Sequence, residues 1–324
     1  MSLPSAHWLF ALKAALAAIA VAALVHIAGP EDVAAALLRA DPWWLVAALA
    51  LVPVNIGLEA YRWGRLVRRL EPSVRHRDIL RAVVGSYPLG LLTPGRVGDY
   101  VGRAVYLRAI PPGASATLTF VERMATLAAC LIGGLVALGP YLATVASPSP
   151  LWPAVTAVGA IATGAILVLV LFPGLARTIV TTLMPWKPVE RAVSAFAQIP
   201  REEGVTLLAL SALRYVVFSA QFVLLAHAVA PDAGWAGLWL SVALIFFAKS
   251  AVPQITLGDL GIREGAAVFF MGAYGVEAAA ALDASLTLFA LNLLLPAVVG
   301  APLLVRLQLR RRSSKAEHPV EAEA

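Results

Sequence analysis

Charged residues are scarce in this chain. They make up 14% of its 324 residues, whereas hydrophobic residues make up 60%; an ordinary soluble domain carries about 25% charged residues. Several apolar runs reach the roughly 20 residues that cross a hydrocarbon core of about 30 Å. No segment shows the alternating pattern of a transmembrane barrel strand. The sequence therefore predicts an all-α, polytopic helical membrane protein and excludes an ordinary soluble domain.

Several chemical signatures are also missing. The only cysteine, Cys130, lies in an apolar run, and the five histidines are scattered, so neither a disulfide nor a metal site or other cofactor is expected. The chain contains no nucleotide-binding Gly-rich loop, no nucleophile elbow and no His-Glu-x-x-His helix. These absences exclude a nucleotide-driven pump and argue against an enzyme. The net charge of +6 lies beside membrane segments, so it indicates topology rather than a nucleic-acid partner.

Apolar periodicity predicts about eight spans within one membrane domain, residues 1–310, followed by a disordered tail, residues 311–324. The first apolar run is longer than a signal-peptide core, so it is interpreted as a retained helix. The seventh span is short and begins with charged residues, so a partial crossing is an alternative. The predicted spans are residues 8–28, 43–66, 114–142, 152–172, 204–230, 236–252, 262–277 and 279–306.

The distribution of basic residues predicts the orientation. Arginines dominate residues 65–81 and 306–312, whereas residues 29–42 are acidic and residues 143–151 carry no charge. Basic loops stay in the cytoplasm. The sequence therefore predicts cytoplasmic termini and a cytoplasmic connector at residues 173–203.

One charged phrase occurs twice. Residues 98–103 read GDYVGR and residues 258–264 read GDLGIRE, 160 positions apart, which pairs Arg103 with Arg263 in register. Paired Gly/Pro-interrupted segments in two halves of a membrane chain indicate a substrate site between internal repeats. An internal repeat is one interpretation, and a chance match over three positions is the other.

The residues around each copy of the phrase are broken by glycine and proline. Residues 79–92 are apolar but too short to span, and Gly85, Pro88 and Gly90 interrupt them. Re-entrant or broken segments are therefore predicted near residues 79–100 and 252–264. Irregular backbone at that depth requires cover by protein or a wet cavity. An interfacial amphipathic helix is the alternative for residues 79–92.

Ionisable residues inside predicted spans are candidates for function, because burying them in a membrane is costly. Arginine is in excess, and its planar guanidinium matches the oxygens of a phosphate group. The candidate headgroup-binding residues are Arg96, Arg103, Arg123, Arg214 and Arg263. Their candidate charge partners are Asp99, Glu122, Asp259, Glu264, Glu59, Arg62 and Asn55. A purely structural charge network is the alternative.

Some of these charges have predicted partners. Glu122 and the adjacent Arg123 point about 100° apart on a helix, so each needs a partner elsewhere. Arg103 or Arg263 is predicted to meet Glu122, and Asp99 or Asp259 is predicted to meet Arg123. For Arg62, the alternatives are a pair with Glu59 on the same helix face, or snorkelling to the headgroups with Trp63 as an interface anchor.

Four phrases in this order resemble one family. They are Asn55…Arg62-Trp63, TPGRVGDY at residues 93–100, Glu122-Arg123, and LGDLGIRE at residues 257–264. They are similar to the lysylphosphatidylglycerol synthase transmembrane family, over roughly residues 8–306. Two departures are Asp99, where the family more often has glutamate, and Leu257-Gly258, where it favours Gly-Gly.

The resemblance implies the flippase domain of bacterial multiple peptide resistance factors, located in the inner membrane. The family's full-length synthases add a cytosolic aminoacyl-transfer domain, which is not expected here because the chain ends at Ala324. The expected function is to bind an anionic phospholipid, or a related polyprenyl-phosphate lipid, and move it between leaflets, either downhill or coupled to an ion gradient. The alternative is a non-transporting accessory subunit that serves a membrane synthase or glycosyltransferase in lipid or envelope-glycan synthesis.

Overall fold

A computed structural model describes residues 40–183, 199–252 and 260–303 of the chain, together with five isolated positions between residues 26 and 187. This part contains helices and turns but no strand, as the sequence predicts. The first five helices are α1 (Pro42–Leu70), α2 (His76–Leu92), α3 (Val97–Tyr106), α4 (Pro112–Thr144) and α5 (Leu151–Leu171). The others are α6 (Pro173–Leu183), α7 (Arg201–Val229), α8 (Trp235–Ala251), α9 (Ile262–Gly272) and α10 (Ala278–Leu303).

Local sequence explains how the first of these helices begins and ends. The Asp41 side chain accepts a hydrogen bond of 2.9 Å from the backbone N–H of Trp43, and Pro42 occupies the first helical position. Both are favoured at a helix start. Arg68 and Arg69 lie in the last turn, where a cation suits the negative end of the helix dipole.

Five helices are long and apolar enough to cross a membrane: α1, α4, α5, α7 and α10. Their bounds confirm, to within a few residues, the spans predicted at 43–66, 114–142, 152–172, 204–230 and 279–306. The chain is therefore a multi-pass membrane protein. The predicted span at residues 8–28, the tail at 311–324 and most of residues 184–198 lie outside the described residues.

Helices α2 and α3 form a tight antiparallel hairpin. Gly95 and Arg96 break the helix at its tip, with left-handed φ angles of 58° and 55°. A Cβ added at Gly98 would overlap the carbonyl oxygen of Leu89, so only glycine allows the two backbones to approach so closely. The predicted break near residues 79–100 is a helical hairpin packed against α1, α4 and the second half of α10.

Helices α8 and α9 form a second hairpin. The Ser241 hydroxyl of α8 donates a 3.0 Å hydrogen bond to the Phe270 carbonyl of α9, and Gly237 packs against Tyr274, so the helices run antiparallel. Helix α9 has 11 residues and a length of about 16 Å at 1.5 Å per residue, which is too short to cross alone. The seventh predicted span, 262–277, is therefore half of a hairpin, in line with its partial-crossing alternative.

The order and lengths of the helices repeat along the chain. Helices α1 and α7 each have 29 residues, and α2 and α8 each have 17. Helix α7 begins 159 positions after α1, at residue 201 against residue 42. Helix α8 likewise begins 159 positions after α2, at residue 235 against residue 76. The short helices α3 and α9 follow, with 10 and 11 residues, and each is succeeded by a spanning helix. These lengths support an internal repeat of four helices, 42–144 and 201–303.

The two repeats are inverted relative to each other. Near the end of α1, Arg65 pairs at 2.7 Å with Glu203 at the start of α7. At the opposite end, the Asp41 N–H donates to the carbonyl of Ala228 at 2.9 Å. Helices that are equivalent in the repeat therefore run antiparallel.

The structure corrects the predicted register of the repeat. Arg103 lies in the last turn of α3, whereas Arg263 lies in the first turn of α9, so these two arginines are not equivalent. The helix starts pair Asp99 with Glu264, each being the third residue of its helix. Gly258 and Asp259 lie outside the described residues.

Candidate functional site

A polar cavity of about 390 Å³ lies where the two hairpins approach the long helices. Asn55 and Arg214 line it, and each is the fourteenth residue of a 29-residue helix. They therefore lie about 20 Å from either helix end, so the cavity is at the middle of the bundle. Gly95 and Arg96 reach it from the tip of the first hairpin, and Lys249 from the last turn of α8.

Glu59 of α1 is the centre of one group of contacts. It is 3% exposed and accepts hydrogen bonds from the Tyr87 hydroxyl at 2.9 Å and from Arg214 at 2.7 Å. It also pairs with Arg103. This carboxylate therefore joins α1 to α3 of its own repeat through Arg103 and to α7 of the other repeat through Arg214.

Glu122 of α4 is the centre of a second group. It accepts from Arg62 at 2.7 Å and from Arg103 at 3.0 Å. The predicted pair of Arg103 with Glu122 is confirmed. Arg62 and Trp63 are both 0% exposed, so the snorkelling interpretation is wrong, and the carboxylate that Arg62 contacts is Glu122 rather than Glu59.

Asp99 of the first hairpin is the third buried carboxylate. It is 1% exposed and pairs with Arg96 at 2.9 Å and with Arg123 of α4. The predicted pair of Asp99 with Arg123 is confirmed. Because α3 contributes both Asp99 and Arg103, this short helix is held to α4 by charge at two successive turns.

The start of α9 carries a separate ion pair. Arg263 donates to Glu264 at 2.5 Å and to the Ser285 hydroxyl of α10 at 2.9 Å. Glu264 also accepts from the Gly261 N–H at 2.8 Å, which closes the first turn of the helix. The predicted site residue Asp259 lies outside the described residues.

A chain of amides crosses the cavity wall. Asn55 donates to Asn292 at 2.9 Å, Asn292 donates to Gln221 at 2.6 Å, and Gln221 donates to the Ala48 carbonyl at 2.9 Å. These bonds connect α1, α7 and α10 inside the bundle. A buried amide without a partner is costly, so the chain fixes the relative rotation of the three helices.

Each of the five predicted headgroup arginines stacks over an aromatic ring. The pairs are Arg96 with Tyr87, Arg103 with Trp63, Arg123 with Tyr100, Arg214 with Phe218, and Arg263 with Phe289, with 5.1 to 5.9 Å from guanidinium carbon to ring centroid. A ring attracts a cation to its face. The N–H groups at the edge of a stacked guanidinium remain directed sideways, where they bind carboxylate or phosphate oxygens.

Cationic side chains outnumber carboxylates among the described residues that line the cavity. Five of these residues are cationic and two are carboxylates. The cations are Arg96, Arg123, Arg214, Lys249 and Arg263, and the carboxylates are Glu59 and Glu122. Behind this wall, the described residues add the arginines Arg62 and Arg103 and the carboxylates Asp99 and Glu264.

The predicted site residues thus separate into two groups. Arg96, Arg123, Arg214 and Arg263 line the cavity. Arg103 is 0% exposed and lies behind the wall, between Glu59 and Glu122, where it positions the carboxylates. Among the described residues, no group of three or more His, Cys, Asp or Glu side chains is placed to hold a metal ion.

Sequence reasoning missed the partners that are neutral. Tyr87 contacts both Glu59 and Arg96, and Ser285 contacts both Arg263 and Glu264. Thr126 accepts from Arg62 at 2.7 Å. Thr126 lies one turn after Glu122, a spacing that places both on one helix face and that was available as a signal in the sequence.

Together, the inverted helical repeats and the buried charged cavity define a polytopic membrane protein with a polar site at the centre of its bundle. The chain belongs to the family described as the lysylphosphatidylglycerol synthase TM region, which matches residues 10–300. The family places it among membrane proteins connected with lipid or cell-envelope synthesis. No curated protein matches the chain.

Proposed function

We propose that this protein binds the headgroup of an anionic phospholipid or related lipid in the central cavity and moves it between the two leaflets of a bacterial inner membrane. The observation that carries the proposal is a cavity at the middle of the bundle into which four arginines from both repeats converge, Arg96, Arg123, Arg214 and Arg263. Ionisable side chains at this depth are costly and mark functional sites, and a guanidinium group matches the oxygens of a phosphate.

The arrangement of the two hairpins suggests how a headgroup would pass from one leaflet to the other. The two repeats are inverted, so the α2–α3 and α8–α9 hairpins enter the bundle from opposite sides, and described residues of both hairpins line the same cavity. On this proposal both hairpins are re-entrant, six spans cross the membrane when the predicted span at 8–28 is counted, and both termini remain cytoplasmic. Movement of one repeat against the other opens the cavity to one leaflet at a time, as in other transporters built from inverted repeats.

Both hairpins also bring the start of a helix to the cavity. Helix α3 begins directly after Arg96, and α9 begins directly before Arg263, and both arginines line the cavity. The N-terminus of a helix attracts anions through its free N–H groups and its dipole. Apolar residues such as Leu127 and Phe246 complete the lining and suit the first part of an acyl or prenyl chain.

Leaflet exchange in proteoliposomes tests the proposal. Purified protein is reconstituted with a fluorescent phosphatidylglycerol, and a membrane-impermeant quencher reports how fast inner-leaflet lipid reaches the outside. We expect exchange well above that of empty liposomes, and loss of most of that increase in Arg263→Ala. Arg108→Ala, at an exposed loop position, is the matched control and keeps the wild-type rate.

Exchange no faster than in empty liposomes refutes translocation and favours the non-transporting accessory subunit. In that case, lipid that co-purifies with the wild-type protein but not with Arg263→Ala would still identify a lipid-binding cavity.

A further inference from the structure

We infer that helix α6, which lies on the connection between the two repeats, is an interfacial helix. It lies in the plane of the membrane and inserts its apolar face into the leaflet at which α5 ends. Its partner is the lipid surface itself, at the boundary between headgroups and acyl chains. This attachment holds whether or not the central cavity moves a lipid.

Helix α5 brings the start of α6 to the membrane surface. It has 21 residues, a length of about 31 Å at 1.5 Å per residue, which matches the hydrocarbon core. Its end packs against the start of α7, where a Cβ added at Gly204 would lie 2.5 Å from the carbonyl oxygen of Val170. Arg201 stacks over Phe172 at 5.1 Å. The end of α5 and the start of α7 therefore lie at one level.

Charged side chains mark this level as the boundary with water. Glu203, which precedes Gly204, pairs with Arg65 and Arg69 of α1, whose side chains are 32% and 52% exposed. Partly exposed arginines at the end of a span lie among the headgroups. Helix α6 therefore starts at the depth of the headgroups.

A proline separates α6 from the spanning helix. Pro173 is the first residue of α6, a position that proline favours because an N–H there has no partner within the helix. Proline also disfavours the helical region for the residue before it, and Phe172 has φ −126° and ψ 65°. Helix α6 is therefore a separate helix rather than a continuation of α5.

The side chains of α6 separate into two faces. Leu175, Ile179 and Leu183 recur at every fourth position. Together with Val180 they occupy an arc of about 140° at 3.6 residues per turn, which is the width of an amphipathic stripe. The remaining arc carries the polar side chains of Arg177, Thr178, Thr181 and Thr182.

The apolar face is exposed. Leu175, Ile179 and Leu183 are 51%, 45% and 75% exposed, and of the described helices only α5 packs closely against α6. An apolar stripe left in water forgoes the free energy of burial, whereas a helix at the headgroup boundary buries such a stripe about 5 to 10 Å deep. The 11 residues of α6 are too few to cross the membrane, so an in-plane orientation is the one that buries the whole stripe.

Spin-label accessibility in proteoliposomes tests the inference. Each label is attached to one introduced cysteine in the full chain carrying Cys130→Ala. The apolar positions are Leu175, Ile179 and Leu183, and the matched polar positions are Arg177, Thr178 and Thr181. Collisions with oxygen, which concentrates in the bilayer, and with a water-soluble nickel chelate measure the depth of each label.

We expect the ratio of oxygen to nickel accessibility to be several-fold higher at the three apolar positions than at the three polar ones. The three apolar positions should give similar ratios, because an in-plane helix holds them at one depth. High nickel accessibility at all six positions would show a helix free in water and overturn the inference. Low accessibility to both reagents on the apolar face would show that protein covers it, which also overturns the inference. A steady change of the ratio from Leu175 to Leu183 would show a helix that enters the membrane end-on, with the same consequence.

A second set of variants tests the apolar face as the anchor. Leu175→Asn combined with Ile179→Asn should release the helix, so that nickel accessibility at Leu183 rises to that of the polar positions. The control is Thr178→Asn combined with Thr181→Asn, which should leave the label at Leu183 protected. Equal protection of Leu183 in both double variants would refute the apolar face as the membrane contact.

Discussion

The ion pair between Arg103 and Glu122 is expected to stabilise the bundle, because both charges are buried away from bulk water. The two side chains are 0% and 3% exposed and lie 3.0 Å apart. The perturbation is a double-mutant cycle of Arg103→Gln, Glu122→Gln and the combined variant. Glutamine keeps most of the volume of each side chain and removes its charge.

The burial of the pair determines how much unfolding free energy each variant should lose. Removing one partner of a buried pair leaves the other charge uncompensated and costs about 3 to 5 kcal/mol. Removing both partners avoids that penalty for this pair, so the double variant is less destabilised than the sum of the single variants, by about 1 to 3 kcal/mol. It does not regain wild-type stability, because Arg103 also pairs with Glu59, and Glu122 with Arg62.

The assay is the free energy of unfolding of the detergent-solubilised chain, obtained by denaturant titration. The matched control is the exposed pair of Asp78 and Arg81 on α2, at 3.6 Å with side chains 42% and 59% exposed. Its single substitutions should cost less than about 1 kcal/mol. Additive single effects at Arg103 and Glu122, or a control pair that costs as much, would refute the reasoning.

Two further predictions concern the hairpin and the topology. Gly98→Ala should lower the unfolding free energy by about 1 to 3 kcal/mol, because the added Cβ overlaps the backbone of α2. The control is Gly57→Ala in α1, where a Cβ meets nothing within 4 Å, and it should be neutral or stabilising. Equal effects of the two substitutions would contradict the close approach of α2 and α3. A cysteine introduced at exposed Ser73 should react with a membrane-impermeant maleimide from the cytoplasmic side, and one at exposed Ser147 from the outer side. The native Cys130 is buried and should react only slowly. Labelling of both introduced cysteines from the same side would contradict the predicted orientation.

The spans and part of the ion network could be predicted from the sequence. Hydropathy alone marks helices as long and apolar as α4, because the bilayer imposes a minimum length. The pairs of Arg103 with Glu122 and Asp99 with Arg123 followed from one geometric fact, that neighbours on a helix point in different directions. The need for a partner in a membrane then selects among a small number of opposite charges.

The rest depends on contacts between distant helices, which spacing does not reveal. The aromatic rings under the arginines are the clearest example. A tryptophan near the end of a predicted span is typical of an interface anchor. Trp63 is instead 0% exposed and stacks on Arg103. The repeat register failed for a related reason. Alignment by residue identity paired Arg103 with Arg263. The structurally equivalent positions are instead the helix starts, where Asp99 and Glu264 are each the third residue of a helix.

The two repeats contribute unequally to one site, and this inequality has a mechanical consequence. Glu59 and Glu122 belong to the first repeat, whereas Arg214, Lys249 and Arg263 belong to the second. Inside the cavity, Arg214 with Glu59, at 2.7 Å, is an ion pair that joins the repeats directly. A phosphate presents oxygens of the same charge and similar spacing as a carboxylate. On the proposed function, the headgroup therefore competes with Glu59 for Arg214, so binding weakens a bond between the repeats at the position where they must move apart.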